Sequence, residues 1–310
     1  MPTRAQLLAL TEELRRRKAG GERSVTVSSE TLAQLRDAVE VCRAGSLEPQ
    51  QNHAASVATV APLVAPDAPP PRVVAKVAPS APAAPSSIPS APPTVVLPPG
   101  DKATRWAALR ELVMNDPVCR GHVRSGKKIV LGTGNLDAAL FFCGEAPGAE
   151  EEIQGEPFVG PAGQLLTRMI VGMGLRRDQV YIGNIMNWRP EMPAGPAGVQ
   201  VGNRPPTAEE MNYCLPYLRA QLEIVQPQLI VALGATAAGG LLGAGTFKTL
   251  GEIKGRWHQF ADKPVMVTYH PSYILRNNSN RSKRGIWEDL LQVMDRAGLP
   301  VTPQQRSYFI

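Results

Sequence analysis

Residues Leu140 to Leu166 read LFFCGEAPGAEEEIQGEPFVGPAGQLL, an apolar run that breaks into a turn rich in glycine and carboxylates before a second apolar run begins. A strand buried on both faces reads as a short continuous apolar stretch, here Ala138 to Cys143. In open α/β sheets the turn after the carboxyl end of such a strand holds the chemistry. Gly144 opens that turn, and with no side chain it lets a ligand approach the backbone closely. Glu145, Glu150, Glu151 and Glu152 put several carboxylates in the same loop, with Phe158 a few residues on. Taken alone, these acids fit a solvated turn at the amino end of a helix starting near Ala162 as well as they fit a reaction centre, because carboxylates favour helix amino ends.

Two further segments bear on that choice. Val180 to Pro190, VYIGNIMNWRP, is a second strand-like run, and it delivers Asn184, whose amide both donates and accepts, to the same sheet edge. Val265 to Arg276, VMVTYHPSYILR, is a third, delivering His270 just before a proline ends the regular structure. The wider pattern alternates. Helices are expected at 103–114, 162–173, 207–225, 235–242 and 282–297, and strands at 128–131, 138–143, 180–185, 229–233 and 264–268. That order argues for an α/β fold with a central, mostly parallel sheet covered on both faces. Gly234-Ala235-Thr236 at the start of one helix suits a phosphate and suits close packing equally well.

These segments, in this order, resemble family 4 of the uracil-DNA glycosylases. The motifs shared are GE-x-PG with following acids, PFVG-x-AG-x-LL, N-x-x-x-CRP (here NIMNWRP) and HPS-x-x-LR, and the resemblance covers roughly Val130 to Leu291. It implies a three-layer αβα fold and hydrolysis of the N-glycosidic bond of deoxyuridine in DNA, the first step of base excision repair. Breaking that bond makes the sugar cationic and the departing base anionic, so the site must orient water on one side and stabilise an anion on the other. By resemblance, Glu145 and Glu151 hold the water, His270 sits by the charged uracil oxygen, and Gly144, Phe158 and Asn184 bind the base. Phe158 also fits the role of an ordinary core aromatic. Base release further requires flipping the nucleotide out of the stack. Ser272, Tyr273 and Arg276 are expected to meet DNA there, and the basic run Asn277 to Arg284 fits either phosphate contact or a solvated helix start.

Cysteine usage departs from the family. The resemblance implies a four-thiolate 4Fe-4S cluster, yet only Cys119 and Cys214 occupy its positions, while Asp116 and Trp188 stand at the other two. No stable cluster, no other metal and no other cofactor are therefore expected. Cys143 reads as a small core residue, and Cys42 lies near the amino end. The connection 191–202, EMPAGPAGVQVG, carries no histidine, which favours hydrolytic turnover over covalent capture of the sugar.

The remainder divides simply. Residues 1–45 hold two helical patterns, with Leu7, Leu8, Leu10 and Leu14 and then Leu32, Leu35 and Val39, suited either to a protein partner or to an accessory element. Residues 46–100 carry 14 of the 30 prolines and read as a disordered linker, leaving 101–310 as the catalytic domain. Net charge is +6 with pI ≈ 9.3, compatible with transient binding to uracil-containing DNA. No run is long and apolar enough to span a membrane, and the cysteines suggest no disulfide framework. A monomer in a bacterial-type, reducing cytoplasm, near the nucleoid, is the expected setting. A noncatalytic DNA- or protein-binding member of the same fold remains the alternative.

Overall fold

The computed structural model describes residues 88–89, 91–193, 200, 202–243 and 245–310. The helical patterns of 1–45, and most of the stretch read as linker, lie outside the described residues. In chain order the elements are α1 (Lys102–Asn115), α2 (Pro117–Gly121), β1 (Thr133–Gly134), β2 (Leu140–Gly144), α3 (Glu151–Gln154), α4 (Pro161–Gly172), β3 (Tyr181–Asn184), α5 (Ala208–Val225), β4 (Leu229–Leu233), α6 (Ala235–Leu242), α7 (Leu250–Ile253), β5 (Trp257–Phe260), β6 (Lys263–Thr268), α8 (Pro271–Arg276), α9 (Asn280–Arg296) and α10 (Pro303–Arg306). One sheet runs in the order β1-β3-β2-β4-β6-β5. The four inner strands are parallel and the two edge strands antiparallel.

Alternation along the strands sorts their side chains into two cores. Leu140, Phe142, Val231, Leu233 and Met266 meet Leu166 and Ile170 of α4 and Trp287 and Leu290 of α9 on one face. Phe141, Cys143, Ile230, Ala232, Val265 and Val267 meet Leu218 and Leu222 of α5 and Ala238 and Leu241 of α6 on the other. Helices thus cover both faces, which is the expected three-layer architecture. A third apolar cluster joins α1 and α2 to Trp188 and to Tyr213, Cys214 and Tyr217 of α5. Ile88, Val95 and Leu97 pack against this cluster, so the packed region reaches back past the boundary expected at Asp101.

Two expectations need correction. Lys128–Leu131 is not a strand: its backbone bonds only at isolated points, Lys128 to the Glu152 carbonyl at 2.7 Å and Val130 to that of Asn187 at 2.8 Å. The edge strand is instead Thr133–Gly134, where a side chain at Gly134 would overlap the Val180 carbonyl. Strand β5 was not anticipated, because its turn to β6 is made by Ala261 and Asp262 at φ 47° and 62°, without the glycine that usually marks such a hairpin. Helices α2, α3, α7, α8 and α10 have four to six residues, too few to show a helical period.

Candidate active site

The carboxyl ends of the parallel strands converge on a cavity of ≈ 650 Å³. Strand β2 ends at Gly144 and β3 at Asn184, which are partners in register, so the first residue past β2 (Glu145) and the amide of Asn184 enter the cavity side by side. A side chain at Gly144 would overlap Asn184 Oδ1 and come within 2.5 Å of the Phe158 ring. Only glycine leaves room for both. Strand β4 passes into Gly234, whose φ of 95° brings its backbone against His270, and β6 leads through Tyr269 to His270 itself. Close packing on His270 thus accounts for Gly234, and the Thr236 side chain nearby favours the charged form of Glu145.

Phe158 sits in a strained turn. Its φ of 54° is in the left-handed region, costly for an aromatic, and neighbouring contacts hold it there. Glu151 Oε1 accepts from the backbone N–H groups of Val159 and Gly160, both at 3.0 Å, while Oε2 accepts from Gly148 at 3.1 Å. Arg177 donates to the Pro157 carbonyl at 2.6 Å. Gly163, one turn into α4, has no room for a side chain against the Phe158 carbonyl. The Phe158 ring therefore lies in the cavity wall, 5.6 Å from the His270 ring at an interplanar angle of 32°.

His270 caps α8 with Nδ1, which accepts from the Ser272 N–H at 3.1 Å and lies 2.8 Å from Ser272 Oγ. An Nδ1 that accepts puts the single proton of a neutral ring on Nε2. Burial, reinforced by Arg276, lowers the His270 pKa to about 4, so the ring is neutral at pH 7. Arg276 also donates to Ser272 Oγ at 3.2 Å, completing a chain from guanidinium to hydroxyl to imidazole. Glu145 is half-buried; desolvation pushes its carboxyl above the usual range and the Thr236 side chain partly offsets that. Asn184 is buried, and its Oδ1 has no hydrogen-bond partner among the described residues. An orphaned buried acceptor is costly, and it lies in the wall of a ligand-sized cavity.

The family described as the uracil DNA glycosylase superfamily matches residues 131–291, the segment that builds the sheet and this cavity. The chain belongs to that superfamily. Within it the type-4 branch stands near: the type-4 uracil-DNA glycosylase of Thermotoga maritima is 43% identical over 165 residues, covering 52% of this chain and 79% of the relative. That of Pyrobaculum aerophilum is 39% identical over 181 residues (56% and 87%), and that of Archaeoglobus fulgidus 41% over 152 (47% and 71%).

Asp116, Cys119, Trp188 and Cys214, the four positions at which the resemblance implies cluster ligands, lie together around the third apolar cluster. Cys119 and Cys214 are buried thiols in contact with each other. Asp116 is engaged on both oxygens: Oδ1 accepts from the Cys119 N–H at 2.7 Å, and Oδ2 from the hydroxyls of Tyr213 at 2.8 Å and Tyr217 at 2.9 Å. Burial alone would raise this carboxyl, but the Cys119 amide and the two phenols hold it below its ordinary value. Trp188 is fully buried and stacks on His122 at 5.0 Å, and its Nε1 finds no partner among the described residues. No group of three or more His, Cys, Asp or Glu side chains among the described residues is placed to hold a metal ion.

Every cavity residue named from the sequence lies at this cavity except Gly144, which sits beneath Phe158 and Asn184. The four loop acids part company. Glu145 faces the cavity, Glu151 fastens the Phe158 turn, Glu152 pairs with buried Arg189 at 2.9 Å, and Glu150 is exposed. Tyr273 lies at the cavity mouth, stacked on Tyr269 at 4.2 Å. Along the basic run, Arg284 is spent on Glu288 and on the carbonyls of Arg306 and Tyr308. Sequence reasoning missed Tyr269 and Arg177. Tyr269 adjoins His270 and was within reach of the motif; Arg177 carries no local signal, since its role depends on a loop 20 residues away.

Proposed function

We propose that this chain hydrolyses the N-glycosidic bond of deoxyuridine in DNA, releasing uracil and leaving an abasic site. The observation that carries the reading is Asn184, a buried amide in the wall of a cavity shared with Glu145, Phe158 and His270, whose Oδ1 has no hydrogen-bond partner among the described residues. Uracil presents a ring N–H next to a carbonyl, and an amide answers both with its oxygen and its NH₂. Cytosine presents an acceptor and an amine at those positions and would leave two buried polar groups opposed, a mismatch worth orders of magnitude in rate.

As the C1′–N1 bond breaks, its electron pair leaves with uracil and the sugar becomes cationic. Charge gathering on the uracil O2 is met by the Nε2–H of neutral His270, whose tautomer Ser272 maintains. Water adds to C1′ and loses its proton to Glu145, a carboxylate made more basic by burial. The uracil anion takes its proton from solvent. Phe158 stacks on the extruded base, and Glu151 keeps the Phe158 turn in place while adding negative charge near the cationic sugar. The segment from Ser272 to Arg276, at the cavity mouth, meets the DNA where the base has left its stack. The reaction needs no cofactor. A 4Fe-4S cluster requires four thiolates, and here two are replaced by a carboxylate already engaged on both oxygens and an indole that fills the space.

The test is uracil release from single- and double-stranded oligonucleotides by the parent, Asn184→Ala and His270→Ala chains. Release by the parent and loss in both variants supports the reading. No release from either substrate, with DNA binding retained, overturns it. Anaerobic incubation with iron and sulfide should leave the protein without cluster absorption, and uptake of a stable cluster would refute the cofactor assignment.

A further inference from the structure

The loop from Glu150 to Gly160 has two sides. Glu150, Glu151, Phe158 and Gly160 line the cavity described above, whereas Gln154, Gly155 and Glu156 line a second one of ≈ 760 Å³. Five cations surround this second cavity: Arg110 on α1, Arg120 on α2, and Arg124, Lys127 and Lys128 on the extended segment that follows. Glu156 is the single acid among the described residues of its lining. Glu152, behind it, is shared by Arg124 at 3.2 Å, Lys127 at 3.7 Å and Arg189 at 2.9 Å, so one carboxylate faces three cations. Arg110 and Arg120 are exposed and have no ion-pair partner among the described residues. Trp106, Met114 and Ile129 supply an apolar floor.

We propose that this cleft binds the phosphodiester backbone of the uracil-bearing strand beyond the extruded nucleotide. The inference rests on the proposed function and extends it to a second contact surface. The 150–160 loop is a wall common to both cavities, so a strand whose nucleotide occupies the first can cross that loop directly into the basic cleft. Uncompensated positive charge in a concave site focuses the field on a polyanion. Spread along a helix, a short helix and an extended segment, the cations suit a row of phosphates better than one compact anion. An apolar floor with Trp106 offers a surface for an unpaired base.

The experiment measures binding of uracil-free single strands, of about 5 and about 16 nucleotides, by fluorescence anisotropy over a range of salt. It compares the parent with Arg110→Ala/Arg120→Ala and with a charge-matched control, Arg256→Ala/Lys263→Ala, placed by the opposite sheet edge. Each phosphate contact on a single strand contributes about 0.7 to the slope of log K against log salt, so losing two lowers the slope by about 1.4 and weakens long-strand binding at 0.1 M salt about 25-fold. Short-strand binding stays the same, the control changes neither, and kcat/KM for a long uracil-containing strand falls in parallel with its affinity. Unchanged long-strand affinity and slope in the cleft variant overturns the proposal, as does an equal loss in the control. Inorganic triphosphate displacing the long strand at equal concentration would assign the cleft to a small anion and also overturn it. Because the binding strands lack uracil, this result is independent of whether the parent releases uracil, which tests the proposed function separately.

Discussion

Replacing Asn184 with leucine should make the protein more stable and stop it excising uracil. The two side chains have the same number of heavy atoms and the same branching, and leucine is the bulkier, so it removes the buried Oδ1, which has no partner among the described residues, without opening a cavity. An unsatisfied buried acceptor costs about 1–3 kcal/mol. Fitting a tetrahedral branch under Phe158 and against Gly144 returns up to about 1 kcal/mol of that. The net gain is centred on about 1–2 kcal/mol, which for a domain of this size raises Tm by about 2–8 °C. Opposing that, the base loses both hydrogen bonds that identify it, and kcat/KM falls by about 10⁴ or more. Calorimetry of the DNA-free protein at pH 7 and initial rates of uracil release decide the matter together. A Tm lowered by several degrees would mean that Oδ1 is satisfied in the free protein, and uracil release within tenfold of the parent would mean that Asn184 does not read the base.

Gly163→Ala should slow uracil release about 100-fold, because its methyl group overlaps the Phe158 carbonyl and displaces the turn that positions the ring; a rate close to the parent's counts against that turn as part of the site. On the acid side kcat/KM should fall as Glu145 protonates, at a pH above the ordinary carboxylate value of 4.5, with no step from His270 near 6.5; an inflection near 6.5 that is absent from the His270→Gln profile contradicts the neutral imidazole. Stability carries the matching sign. The unfolded chain takes up a proton at His270 near pH 6.5 and the folded chain only near about 4, so stability falls as pH drops through that window, by about 2 kcal/mol from this residue between pH 7 and pH 5. Urea unfolding of His270→Gln should lack that increment. Asp116→Ala leaves two buried phenols and the Cys119 N–H without their acceptor and should cost about 3–5 kcal/mol, whereas Asp116→Asn, which still accepts, should cost less than half as much.

The inner strands and the long helices were legible because each follows a rule that operates within a few residues. Apolar runs such as 229–233 bury on both faces, the capping box of Thr207 and Glu210 starts α5, and Pro161 opens α4. The polar side chains that share the cavity were legible too, since Glu145, Asn184 and His270 each stand at or just after the carboxyl end of a recognisable strand. What stayed hidden depends on groups far apart in the chain. Four consecutive-looking acids become a cavity carboxylate, a loop fastening, an ion pair and a solvated side chain only when Val159, Arg189 and the cavity itself are in place. The edge hairpin escaped notice because Ala261 and Asp262 accept left-handed backbone that their identities do not advertise.

By itself the amino-acid sequence determined the α/β order of elements and the polar side chains that stand at the strand ends. Hydrophobic period, turn chemistry and residue identity are local properties, written directly in the order of side chains. Only the tertiary structure decided which polar groups find partners. It left Asn184 Oδ1 without a partner among the described residues, seated the Asp116 carboxylate between two phenols, fixed the proton of His270 on Nε2 through Ser272, and gathered Arg110 and Arg120 with three more cations around one cleft. Burial and hydrogen bonding are set by groups that meet through the fold across tens of residues, and they convert a list of competent side chains into a site.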